Sequence, residues 1–139
     1  MGIFRQTISI IRSDDLALVR NGYLKKEDVR QMEIPFLIDT GAYLMCINEA
    51  IQRQMEFPVI GEEEVNLADG TLRSMQVVGP IEIRIFNRRT VADALVLPGD
   101  SEPLFGCIPL EAMDLIVDPL EGTLKLPPDR PYIGRTIVK

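Results

Sequence analysis

Residues 36–41 run FLIDTG, so that Phe36, Leu37 and Ile38 lead straight into Asp39, Thr40 and Gly41. An apolar strand that ends on a carboxylate must satisfy it locally, as in an Asx turn, or use it. A carboxylate can act as general acid or base, and a second one beside it would supply both roles at once. The chain has no histidine. Ser–His and Cys–His nucleophile pairs are thereby excluded, as are zinc hydrolases with His ligands. The two cysteines, Cys46 and Cys107, lie in different segments without paired spacing. They are expected to be reduced, half-buried structural thiols of a cytoplasmic protein. Any acid–base chemistry then falls to carboxylates, and neither a metal nor a cofactor is expected.

The rest of the composition narrows the partners. A chain of 139 residues suits one domain, 1–139, with a proline-rich tail at 127–139. Its net charge of -6 argues against nucleic acid, whose affinity rests on clustered Lys and Arg. Arg88-Arg89 is expected to be a solvated turn, and Glu62-Glu63-Glu64 a solvated start to a strand. No apolar run reaches the length of a membrane span, and the alternating start MGIFRQTISIIRSDD lacks a signal-peptide core.

The elements that must position Asp39 have mostly a period of two, which predicts strands. FRQTISII is a first strand, and Asp14, Asp15, Asn21 and Gly22 mark a loosely structured connection. DVRQMEIPFLID is extended, with Pro35 at an edge or bend, and AYLMCI is a second buried strand. Asn48 is a fair N-cap for a short helix, EAIQRQM. In EEVNLADGTLRSMQVV, Asp69-Gly70 predicts a hairpin with a type I′ turn. PIEIRIF and TVADALVLP are further strands. PLFGCIPLEAMD turns helical with Leu110 and Met113 on one face, LIVD and TLKL close the compact part, and RTIVK could add a terminal strand. Many short strands with one or two small helices predict an all-β, closed barrel-like domain.

Asp-Thr-Gly preceded by an apolar strand, followed by alanine, and joined downstream by the separate apolar-apolar-glycine element LFG resembles the retropepsin-like aspartic proteases. The small prokaryotic members are the most similar. FLIDTGAYLMCI resembles their catalytic strand and loop, and VNLADGTLRSMQVVG falls where they place the flap. PLFGCIPLEAMDLIVDPLEGTLKL resembles their second glycine element, short helix and closing strands. The resemblance implies the retropepsin fold and an aspartic endopeptidase acting on a peptide or protein substrate. Each chain of a homodimer would contribute one Asp-Thr-Gly to a shared site.

On that resemblance Asp39 is the catalytic residue, paired with its copy across a two-fold axis. Two carboxylates that close cannot both ionise easily and share a proton. Thr40 would hydrogen-bond across the axis beneath them, and Gly41 would turn the loop and offer its N–H. Ala42 would keep the loop floor small, and Gly106 would permit close backbone packing against the loop. Ala68, Asp69 and Gly70 would contact substrate from a hairpin, residues 66–75, that projects over Asp39. The terminal segments, residues 2–10 and 135–139, could pair across the dimer. Where retroviral members carry an ion pair between the two glycine elements, this chain has Cys107 and Tyr43 or Leu44, so apolar packing must replace it. Two alternatives remain beside the protease. One is a catalytically inactive relative that binds extended peptides, and the other is a small β subunit in which Asp39 only orders a turn.

Overall fold

The computed structural model describes residues 4–131. The chain is mostly strand, and the sheet closes on itself. In chain order the first strand, β1 (Phe4–Arg12), is followed by α1 (Ser13–Arg20), a 3₁₀ turn (Lys26–Asp28) and β2 (Gln31–Ile38). Next come β3 (Met45–Asn48), α2 (Glu49–Met55), β4 (Val59–Asn66), β5 (Leu72–Ile85) and β6 (Arg88–Leu97). β7 (Leu104–Phe105), α3 (Cys107–Ala112), β8 (Ile116–Asp118) and β9 (Thr123–Lys125) complete it.

Seven strands lie in the order β1-β2-β7-β3-β6-β5-β4, and an additional β1–β5 pairing closes a ring. The long β5 makes closure possible. Its second half lies between β1 and β6, with Ile83 opposite Ile10 and Thr90, while its first half runs on beside β4 as a hairpin. Alternation sends Ile8 and Ile10, Ile34 and Phe36, and Ile81 and Ile83 into the ring, each 6% exposed or less. Phe36 meets Phe105 edge-on inside, with ring centroids 5.6 Å apart. Ile51 and Met55 from α2, Leu110 from α3 and Met113 just after it join this core. Pro35 lies on an edge, as its missing N–H requires: β2 pairs with β1 along its length, but with β7 only at Leu37 and Ile38.

The connection after β1 departs from expectation. SDDLALVR is a helix rather than loose chain. Asp14 and Asp15 favour its first turn through the helix dipole. The buried Asp15 carboxylate accepts from Arg12 Nη1 at 2.8 Å and from the Arg30 backbone N–H at 3.0 Å. Gly22, at φ +81°, ends the helix in a Schellman turn. There the Gly22 N–H donates to the Val19 carbonyl at 3.1 Å and the Tyr23 N–H to the Leu18 carbonyl at 2.8 Å. Asn48 caps α2 as anticipated, accepting from the Ile51 N–H at 2.8 Å. The helices thus number three among the described residues, not one or two.

Two turns also differ. Arg88 is buried, only 4% exposed, where a solvated residue was expected. Its guanidinium donates to the Arg130 carbonyl and to Asn87 Oδ1, which fastens residues 130–131 to the β5–β6 turn. The β4–β5 turn is not type I′, because Asp69 lacks a positive φ and Gly70 alone adopts one, +86°. Ala68 and Asp69 form a type I-like turn closed by the Gly70 N–H on the Leu67 carbonyl at 2.9 Å, and Gly70 follows as the left-handed bulge residue. β1 pairs on both sides within its own chain. The expected terminal strand and residues 135–139 lie outside the described residues.

Candidate active site

Asp39 follows the last residue of β2, and the loop after it is tied down at both ends. The Asp39 N–H donates to the Phe105 carbonyl at 3.1 Å, which continues the parallel β2–β7 pairing by one residue. The Ala42 N–H donates to the Asp39 carbonyl at 3.1 Å, and the Gly41 N–H to Asp39 Oδ1 at 3.0 Å. The carboxylate is therefore held by its own loop, with Asp39 and Thr40 half-buried and Gly41 exposed. A side chain on Gly41 would approach Asp39 Oδ1 to 3.2 Å. A larger residue 41 would therefore press on the carboxylate by a few tenths of an ångström.

The far side of the loop rests on the second glycine element. The Cys107 N–H donates to the Ala42 carbonyl at 2.8 Å, and the Ile108 N–H to the Tyr43 carbonyl at 3.1 Å. Gly106 lies directly beneath. A Cβ there would come within 2.5 Å of the Leu44 carbonyl oxygen and 2.7 Å of the Ala42 carbonyl oxygen. Its φ of -88° is open to any residue, so glycine is required by contact and not by conformation. Asp39 to Ala42 and Gly106 thus form one unit built from segments more than 60 residues apart.

The base of the β4–β5 hairpin packs on Cys46. On the outer face of the ring, Met75 packs with Cys46 and Leu95 in a second small core, flanked by Val65, Leu67 and Leu104. Cys46 also feels Asp39. Burial first, and the Asp39 charge second, raise its thiol above the usual range. One face of Cys46 thus meets the base of the hairpin while its sulfur senses the acid. Ala68, Asp69 and Gly70 stand exposed at the tip. Within the turn the Thr71 N–H and Oγ1 donate to Asp69 Oδ1 at 3.0 and 2.6 Å. These bonds hold the Asp69 carboxyl below its ordinary range. Cys46 and Cys107 are both unpaired thiols, the first buried and the second half-buried.

Sequence reasoning missed one electrostatic cluster altogether. Arg84 and Arg89 face each other across β5 and β6, a like-charge pairing that costs stability. Glu82, only 5% exposed, resolves it by accepting from Arg84 Nε and Arg89 Nη2, each at 2.7 Å. Burial opposes the ionisation of Glu82, but the bonds from Arg89 and Arg84 outweigh it and hold the carboxyl below the usual glutamate range. The signal was the alternation of Glu82 and Arg84 on one face of a strand whose hairpin partner carries Arg89.

Among the described residues, no group of acidic or cysteine side chains is arranged to hold a metal ion, and no helix is long and apolar enough to cross a membrane. In comparison with known proteins, no family model matches the chain and no curated protein is significantly similar to it.

Proposed function

We propose that the chain is an aspartic endopeptidase of the retropepsin type, active as a homodimer with Asp39 opposite its own copy. The observation that carries this is the joint built by the Asp39–Ala42 loop on Gly106. A carboxylate used for acid–base work needs a fixed position, and two hydrogen bonds plus a contact that excludes any side chain supply it. The closed ring of strands is compatible with the barrel of that family. The chain carries one Asp-Thr-Gly, and an isologous contact brings a surface opposite itself. Two unpaired cysteines suit a reducing compartment, and the proposal places the protein in the cytoplasm.

In the dimer, water sits between the two carboxyls. The ionised one removes a proton as the water oxygen attacks the peptide carbonyl, and the protonated one donates to the carbonyl oxygen. As the tetrahedral adduct collapses and its C–N bond breaks, the carboxyl that took the water proton gives it to the leaving nitrogen, and the other carboxylate takes a proton back from an adduct hydroxyl. Thr40 and Gly41 position the acids, and Ala68 to Gly70 lie at the tip of the hairpin that would cover the substrate. The test is Asp39→Asn in a peptide-library cleavage assay. Turnover should fall by about 10²–10⁴-fold or more, because the only base is removed. Dimer formation should persist in sedimentation. Undiminished cleavage by the variant would exclude the reading.

One observation favours an inactive peptide-binding relative as a second reading. β4 ends the sheet order with Glu62, Glu63 and Glu64 exposed, and a free edge can accept an extended peptide as an added strand. Such a protein would bind library peptides at every pH without cleaving them.

A further inference from the structure

A cavity of about 550 Å³ lies away from Asp39, on the outer face of the ring beneath α1. Gln31 lines it at the start of β2, whereas Asp39 follows the other end of that strand, roughly 25 Å away at ordinary strand rise. Its floor is apolar: Ile11 from β1, Leu16 and Val19 from α1, and Val29 after the 3₁₀ turn. Leu16 and Val19 are three apart, so they share the helix face turned to the sheet.

Its charged lining is mainly basic. Arg20 ends α1, Lys26 begins the 3₁₀ turn, and Arg84 and Arg89 rise from the strands between them. Glu82 is the only carboxylate in the lining, and it is spent on Arg84 and Arg89 at 2.7 Å each. Four cations against one buried anion leave three formal positive charges in a chain whose net charge is -6. Arg20 and Lys26 form no ion pair among the described residues. Glu82 does more than neutralise. By anchoring both guanidinium groups it fixes their remaining N–H donors before any ligand arrives, which lowers the entropy lost on binding.

We propose that this cavity is a binding site for a small amphipathic anion, an acidic head group on a short apolar body. The head would sit among Arg20, Lys26, Arg84 and Arg89, and the body would lie on Leu16, Val19 and Val29. The volume suits a small molecule, and charge complementarity excludes a cationic head. This site is independent of the protease reading.

The test is an NMR shift titration of the full chain with octanoate and octyl phosphate, beside inorganic phosphate, octylammonium and octanol. Saturable shifts at the amides of Val19, Lys26, Val29 and Arg84 are expected with one or both octyl anions, and their ratio tells a carboxylate site from a phosphate site. Inorganic phosphate, octanol and octylammonium should bind at least about tenfold more weakly, each lacking one half of the match. Arg20→Gln combined with Lys26→Gln alters only exposed side chains and should weaken the anions by about fivefold or more, with the melting temperature lowered by no more than a few degrees. The proposal is overturned if no octyl anion saturates, if shifts gather instead on the hairpin or the Asp39 loop, or if the double variant binds as tightly. Equal binding of inorganic phosphate or octylammonium would overturn it too.

Discussion

Gly106→Ala is the smallest change that strikes the Asp39 loop without touching it in sequence. The added methyl would lie 2.5 Å from the Leu44 carbonyl oxygen, 2.7 Å from the Ala42 carbonyl oxygen and 2.7 Å from the Tyr43 carbonyl carbon. All three are backbone atoms, so no side chain can swing aside. Relief requires the loop and the second glycine element to part by roughly 0.5 Å or more, and overpacking of this kind costs about 2–3 kcal/mol. The same movement stretches the bonds from Cys107 N–H to Ala42 and from Ile108 N–H to Tyr43, now 2.8 and 3.1 Å. Weakening both adds about 1 kcal/mol. The sum of about 3–4 kcal/mol should lower the melting temperature by on the order of 10 °C. Gly61→Ala is the matched control, since a Cβ there meets nothing within 4 Å and its φ is not positive. Urea denaturation of the parent and both variants, followed by circular dichroism, measures the difference. Equal stability of the two variants would refute the contact argument. Where cleavage is measurable, displacement of Asp39 should also lower turnover by about 10²-fold, while Gly61→Ala leaves it unchanged.

Other substitutions probe the supports around this unit. Asn48→Ala should cost about 2–3 kcal/mol in urea denaturation, because Asn48 is buried, accepts from the Ile51 N–H at 2.8 Å and donates to the Ser101 carbonyl at 2.9 Å. Asn48→Asp should recover part of that loss, since it keeps the acceptor for the helix but not the donor. Glu82→Gln should destabilise by about 1–2 kcal/mol at neutral pH, less than a fully buried pair would, because both arginine side chains are more than half exposed and can turn to water. Its folded carboxyl titrates below the unfolded value. The stabilisation is therefore complete above the unfolded glutamate pKa and is lost as pH falls through the depressed folded value. The gap between parent and Glu82→Gln in urea midpoint should narrow on acidification. A gap that widens instead would reverse the sign of the argument.

What the sequence determined by itself is local. Alternation placed Ile8, Ile10, Ile81 and Ile83 on one face because side chains on a strand alternate whatever the strand later pairs with. The apolar run into Asp39 located the strand end, Asn48 announced its helix, and Gly70 marked the hairpin tip, because caps and turns are satisfied within a few residues. Local signals also existed for α1, in Asp14, Asp15 and the terminal Gly22, but eight residues with only one three-spaced apolar pair did not outweigh the turn formers around them. Tertiary structure alone decided the rest. Arg88 became buried because residues 130–131 return to cover the turn, and Cys46 acquired a charged neighbour because the chain bends at Asp39. The cavity beneath α1 exists because a helix and a 3₁₀ turn stand against strands that come together only when β1 meets β5. The requirement for glycine at 106 depends on carbonyls more than 60 residues earlier. No local pattern encodes such contacts, because they follow from which strands close the ring.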